Sequence, residues 1–239
     1  MYNNKRILAI IPARGGSKGL PEKNIKHLRG RPLIGYTIEQ AKTSKYIDEI
    51  FVSTDSKMIA NTAKEFGIIV PFLRPTELAK DTSSSMDVVE HVLSYFENRN
   101  TFFDYIVLLE PTSPLRKKDD IDNAIQLAVS NESADGIISL GEVHMEHPMI
   151  VKKVNENGNI MSYIDDVKKI SQRQQADKAY FPYGVIYMIK TKVFKREKSF
   201  YTNNILPYFI ERWQNYEVDD IFDFIAIEAI LNKIQEKQL

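Results

Sequence analysis

The chain has 239 residues, no cysteine and four histidines, and its 32 basic side chains balance 32 acidic ones. This length suits a single α/β domain with a full core, while the composition excludes disulfides and thiolate chemistry and gives no overall field to draw in nucleic acid or membrane. A polyanionic ligand must therefore be met by a local cluster of cations, and any metal should be a hard divalent cation on carboxylates.

In chain order, Ile7–Ile11 is a short apolar run that reads as a buried strand. It is too brief for a signal-peptide core or a membrane span, so the expected compartment is the cytoplasm. A Gly/Lys-rich loop follows, then a helical stretch near Leu33–Thr43, a strand at Glu49–Ser53 and a helix at Lys57–Phe66. Ile68–Leu73 reads as a strand, Met86–Phe96 as a helix, Asp104–Leu109 as a strand, Asp119–Val129 as a helix and Gly136–Leu140 as a strand. This β-α rhythm predicts a mainly parallel, Rossmann-like sheet with helices on both faces. Ligands of such sheets gather at the carboxyl ends of the strands.

From about Val143 to Tyr180 the rhythm breaks. Two short β-like runs, Met149–Val154 and Ile160–Tyr163, flank the turn signal Glu156-Asn157-Gly158-Asn159 and predict a hairpin insertion. Tyr183–Ile189 reads as a strand, Tyr216–Val218 as another, and Asp220–Lys237 as a closing helix. His91, His144 and His147 carry no compelling chemistry, and Trp213 with the aromatic-rich Phe200–Phe209 reads as core or subunit contact.

The most informative motif is Pro12-Ala13-Arg14-Gly15-Gly16-Ser17-Lys18-Gly19-Leu20-Pro21-Glu22-Lys23-Asn24, directly after the first strand. Its glycines would let backbone N–H groups converge on an anion, and Arg14, Lys18 and Lys23 add cations suited to a triphosphate. A P-loop is excluded because Lys18 is followed by Gly19, and G-x-G-x-x-G is absent. Near the end, Glu217-Val218-Asp219-Asp220-Ile221-Phe222-Asp223 is acidic. Strand alternation would put Glu217 and Asp219 on one face, a pair that suits Mg²⁺, whereas Asp220 and Asp223 suit the first turn of the last helix.

The loop resembles the signature of the CMP-sialic acid synthetases, the acylneuraminate cytidylyltransferases. Val52-Ser53-Thr54-Asp55, Phe72-Leu73-Arg74-Pro75-Thr76-Glu77-Leu78-Ala79, Asp81-Thr82-Ser83-Ser84-Ser85 and Leu108-Leu109-Glu110-Pro111-Thr112-Ser113-Pro114-Leu115-Arg116 follow in the family's order, so the resemblance spans the chain. It implies a nucleotidyltransferase fold, a cytidylyl transfer from CTP to an acidic nine-carbon sugar, Mg²⁺ or Mn²⁺, and a homodimer made through the insertion.

It also implies roles for individual residues. Pro12, Ala13, Arg14, Gly15, Lys18 and Lys23 would wrap the CTP phosphates, with Asn24 on the nucleotide and Arg74 and Ser85 on the cytidine. From the residues alone, Arg74 could equally be a surface ion pair and Ser85 a helix N-cap. Glu110, Arg173 and Tyr183 fall on the acceptor-sugar side, and Asp219, with Glu217 beside it, on the metal. Glu110 stands where many members have Gln, and Tyr183 where they have Asn. A carboxylate at Glu110 could not donate to the sugar's own carboxylate, so the two positions predict an acceptor other than N-acetylneuraminic acid, such as a legionaminic-type 5,7-diamino sugar. An eight-carbon ulosonate of the KDO type, another NTP, and a non-catalytic sugar-nucleotide module are the alternatives.

Overall fold

The computed structural model describes residues 1–80, 82–164 and 177–236. Its first strand, β1 (Ile7–Pro12), sends Ile7, Ala9 and Ile11 into one core cluster and Leu8 and Ile10 into another. A strand buried on both faces belongs to the interior of a sheet, which explains its uninterrupted apolar run. The chain then forms a small hairpin, β2 (His27–Leu28) and β3 (Arg31–Pro32), and enters α1 (Leu33–Thr43). There follow β4 (Glu49–Ser53), α2 (Lys57–Glu65), α3 (Ser85–Glu97), β5 (Tyr105–Leu108), α4 (Asp120–Ser130) and β6 (Gly136–Glu142). The strands β7 (Lys152–Val154) and β8 (Ile160–Ser162) make the expected hairpin around Gly158, whose φ of +80° explains the glycine. The last elements are β9 (Tyr180–Lys190), α5 (Thr191–Glu197), β10 (Ile205–Phe209) and α6 (Ile221–Gln235).

The main sheet has the order β10-β6-β9-β5-β1-β4. The pairs β1–β4, β1–β5 and β10–β6 are parallel, and β9 runs antiparallel to both of its neighbours, β5 and β6. The sheet is therefore mainly parallel, with one reversed strand inside it. On one face α1, α2 and α4 supply Ile34, Ile38, Ile59, Ile121 and Ile125 to the core, and on the other α3 and α5 supply Val89, Val92 and Phe194. A third cluster joins Leu20, Leu28, Leu33, Leu115 and Val218 to Phe224 and Ile227 of α6. This cluster holds α6 and the acidic stretch before it against the glycine-lysine loop.

Four expectations change. Ile68–Leu73 is not a strand: Pro71 lacks a donor, Ile69 is 79% exposed, and β4 remains the sheet edge. Tyr216–Val218 is extended and bonded through Val218 N–H to the Thr112 carbonyl (2.8 Å), but it makes no ladder. The strand at Tyr183–Ile189 is longer and antiparallel. Within Phe200–Phe209 lies β10, which tolerates Pro207 because it is the other edge of the sheet. At the base of the hairpin insertion His147 is buried. Met149 N–H donates to its Nδ1 (3.3 Å), which leaves Nε2–H to donate to the Asp177 carbonyl (2.9 Å).

Candidate active site

A cavity of about 420 Å³ opens at the carboxyl ends of β1 and β5. It is lined by Pro12, Arg14, Lys23, Asn24, Arg74, Ser85, Glu110, Glu217 and Asp219, all singled out from the sequence. Pro12 and Arg14 follow β1 and Glu110 follows β5, because parallel strands end at one edge of the sheet and hand over to loops there; Ser85 opens α3, and Glu217 and Asp219 precede α6.

The loop after β1 is held by specific bonds. Ala13 N–H donates to the Ser53 carbonyl (2.9 Å), Gly15 N–H to Asp55 Oδ1 (2.9 Å), and Asn24 Nδ2 to the Arg14 carbonyl (2.9 Å). Two of the amides expected to face an anion are thus engaged within the protein, and Ala13 itself is core. The glycines do not have positive φ either. Gly19 answers a close approach instead, since a Cβ there would lie 2.4 Å from the Asp219 carbonyl oxygen. Lys23 Nζ ties the loop to the same stretch, donating to the Val218 carbonyl (2.7 Å) and sitting 3.1 Å from Asp219 Oδ1. Lys18 is exposed and is not among the lining residues.

Arg74 is not a surface ion pair: its side chain is 4% exposed and its Nη2 lies 3.9 Å from Asp55 Oδ1. Burial, reinforced by Arg14 nearby, lowers its pKa, and Asp55 opposes that shift. Its Nε is buried without a protein acceptor, a donor well placed for a ligand in the cavity. The N-cap of α3 is Ser84, whose Oγ accepts from Met86 N–H (3.0 Å), so Ser85 takes no capping role and faces the cavity. The sequence reading missed Leu78, Lys80, Ser83 and Val88 on the same wall. Ser83 Oγ organises that turn by accepting from Lys80 N–H (3.1 Å) and donating to the Glu77 carbonyl (2.8 Å). A polar cluster between an arginine and a helix cap was the available signal.

The opposite wall is acidic. Glu217 Oε1 accepts from Ser113 Oγ (2.8 Å) and from Gly184 N–H. Glu110 lies beside it, and burial, then the Glu217 charge, push its pKa up to about 7, with Arg116 pulling the other way. A carboxyl whose pKa is raised in this way holds a proton more readily, and the protonated form is a donor as well as an acceptor. Tyr183 does not line the cavity; its ring packs on Phe181, 5.1 Å away. Arg173 lies outside the described residues. Asp220 and Asp223 form a reciprocal capping box on α6, the structural role expected of them.

Among the described residues no group of three or more His, Cys, Asp or Glu side chains is arranged to hold a metal. Glu217 is tied into the wall, whereas the Asp219 side chain is 85% exposed at the cavity mouth. One carboxylate at the mouth of a cation-lined cavity, with one oxygen on Lys23 (3.1 Å), fits Mg²⁺, which commonly takes one or two carboxylates and completes its shell with water and substrate phosphate. No helix among the described residues is long and apolar enough to cross a membrane.

Comparison with known proteins gives the family and the fold. The chain is 35% identical over 234 residues to a CMP-N,N'-diacetyllegionaminic acid synthase of Legionella pneumophila, covering 97% of this chain and 98% of that protein. It is 36% identical over 222 residues to an N-acylneuraminate cytidylyltransferase of Streptococcus agalactiae, of which it spans 52%. A pseudaminic acid cytidylyltransferase of Campylobacter jejuni is 32% identical over 96% of this chain and 97% of its own length. In fold the chain is similar to a CMP:2-keto-3-deoxy-manno-octonic acid synthetase solved with CTP, with TM-score 0.72, 18% identity, and coverage of 96% of this chain and 99% of that one. The cytidylyltransferase family model matches residues 8–238, and the chain belongs to that family.

Proposed function

We propose that this enzyme activates a nonulosonic acid of the sialic type with CTP, giving a CMP-sugar and pyrophosphate. The observation that carries the reading is one cavity lined both by cations (Arg14, Lys23, Arg74) and by carboxylates (Glu110, Glu217). A nucleoside triphosphate fits the first, and a hydroxyl- and amide-rich sugar fits the second. The anomeric oxygen of the acid attacks the α-phosphorus in line, the bond from that phosphorus to the bridging oxygen breaks, and pyrophosphate leaves with the electron pair while the hydroxyl proton passes to solvent. Arg14 and Lys23 stabilise negative charge as it grows on the leaving group, with Lys18 at the loop's outer edge. Arg74 and Ser85 hold the cytidine, and Asn24 keeps the loop in shape through the Arg14 carbonyl. Mg²⁺ on Asp219, or Mn²⁺ in its place, would neutralise phosphate charge.

A protonated Glu110 can pair with the acceptor's carboxylate or with its hydroxyls, as an amide would. The full-length similarity to a legionaminic acid enzyme supports a 5,7-diamino nonulosonic acid as the preferred acceptor. A pyrophosphate-release assay with the four NTPs and a panel of ulosonic acids tests this. CTP should be the effective donor, and a diamino nonulosonic acid should exceed N-acetylneuraminic acid and any eight-carbon ulosonate in kcat/KM. Equal or better use of N-acetylneuraminic acid would make the enzyme an ordinary sialic acid activator.

The insertion at 143–180 exposes Met145 (75%) ahead of its hairpin and Val154 (69%), Ile160 (74%) and Tyr163 (62%) on or beside the two strands, which are too small to be stable alone. Packing against a second copy would cover these side chains and make the enzyme a homodimer. Light scattering should give twice the chain mass, and a monomer mass at working concentration would refute the assembly.

A further inference from the structure

The reversed strand β9 is irregular where it passes under the cavity. Ile138 of β6 faces Tyr187, but Leu140 faces Pro182. Tyr183, Gly184, Val185 and Ile186 therefore stand opposite Ser139 alone, a bulge of the kind that re-aims backbone beside functional sites. On its other flank the ladder with β5 ends at Leu108–Tyr187. Val185 and Ile186 are fully buried, and apart from Glu110 N–H, which donates to the Gly184 carbonyl (3.3 Å), the partners available to backbone groups that lose the ladder here are side chains.

Three side chains serve in this way. Ser139 Oγ accepts from Ile186 N–H (2.9 Å) and lies within hydrogen-bond reach of the Tyr183 and Ile186 carbonyls. Glu217 takes Gly184 N–H. Arg116, 5% exposed, takes most of the rest. Its Nη2 donates to the carbonyls of Glu110 (2.6 Å) and Gly184 (2.8 Å), its Nε to the Val185 carbonyl, and its Nη1 to Thr37 Oγ1 (2.9 Å) and Gln40 Oε1 (3.2 Å). All the guanidinium N–H groups thus end on neutral oxygens. Gly184 completes the arrangement: a Cβ there would lie 2.5 Å from Glu110 Oε2 and 2.8 Å from Glu217 Oε1, so both carboxylates rest directly on it.

We propose that Arg116 is a positioning residue for the acceptor half of the site. By clamping the β9 bulge to the turn after β5, it fixes the floor formed by Glu110, Gly184 and Glu217. None of Arg116's hydrogen bonds reaches Arg14, Lys23, Arg74 or Ser85 on the nucleotide side. A planar fork is required because the target carbonyls lie in different directions; a lysine has its donors on one nitrogen and would leave several unmet. The inference rests on the reading of this cavity as a site for CTP and an acidic sugar.

The test compares Arg116→Lys and Ser139→Ala with wild type, measuring CTP dissociation constant, acceptor KM and kcat, and amide hydrogen exchange. In Arg116→Lys the acceptor kcat/KM should fall about 100-fold, the scale of a small misplacement of reacting groups. The CTP dissociation constant should stay within about twofold, because Arg116 shares no hydrogen bond with the cations of that side. Exchange should quicken at Gly184–Ile186 and not in β1. Ser139→Ala, which removes only part of the support, should show the same split at about fivefold, and it decides the matter if Arg116→Lys does not fold. Loss of CTP affinity in step with acceptor kinetics, or unchanged acceptor kinetics in a folded variant, overturns the role of Arg116. Absence of pyrophosphate release by wild type with CTP would overturn the proposed function itself, a different result from a symmetric loss in the variant of an active enzyme.

Discussion

The two walls of the cavity are made in different ways. The nucleotide wall comes from loops that follow parallel strands, and its cations Arg14 and Lys23 lie within one stretch, with Arg74 just past β4 and α2. Mostly local bonds hold it, among them Ala13 N–H to the Ser53 carbonyl, Gly15 N–H to Asp55, Asn24 to the Arg14 carbonyl and Arg74 N–H to the Thr54 carbonyl, with Lys23 reaching the Val218 carbonyl. The acceptor wall draws on Glu110, Gly184 and Glu217, remote in sequence and joined through a buried network around Arg116 and Ser113. A surface loop can present charge at little cost to the fold. Two neighbouring carboxylates over a bulged strand have to be built into the core, so function and stability are coupled on that side.

The largest contrast should come from the nucleotide wall. Lys23→Ala should lower turnover by about 10²–10³, as for loss of one preorganised electrostatic contact, with little change in melting temperature. Wild-type turnover in the folded variant would remove Lys23 from the reaction. Next, activity should need Mg²⁺ or Mn²⁺, and Asp219→Asn should weaken that dependence with a loss of about 10–100-fold. Full rates in chelator-treated buffer would count against a metal on Asp219.

On the acceptor wall, stability should move with activity. Gly184→Ala forces a Cβ against both carboxylates, and overpacking of this kind costs about 1–3 kcal/mol. Denaturant titration should show that loss, and kinetics should show a raised acceptor KM with CTP affinity retained. An unchanged midpoint would mean that the floor yields easily.

The smallest effect is a pH dependence. Glu110 has a pKa of about 7 in the folded chain against an ordinary 4.5. The folded state thus binds a proton more tightly than the unfolded state. Its contribution is complete below about pH 4.5 and is lost as pH rises through 7. Glu110→Gln should remove this decline, so between those limits wild type should lose a few degrees of melting temperature relative to the variant. Parallel melting curves across that range would place the carboxyl in a far more solvated setting.

What the sequence determined by itself was whatever is local or periodic. The run of β1, the helix spacing of α1 to α4, the turn at Gly158 and the cation-rich loop after β1 are legible because their causes lie within a dozen residues. The capping aspartates Asp220 and Asp223 are legible for the same reason. Tertiary structure decided the rest. Whether Ile68–Leu73 paired depended on an unoccupied sheet edge, and β10 escaped notice because Pro207 is acceptable only at an edge. The direction of β9 depends on which neighbours it meets, and strand sequence does not encode that. Ser84 and Ser85 look alike until the helix start is fixed, and that Tyr183 packs on Phe181 and Lys18 stands at the surface depends on the folded chain. Above all, the state of Glu110 follows from Glu217, distant along the chain yet adjacent in space, and from burial. Electrostatic character of that kind belongs to the folded environment and not to the residue.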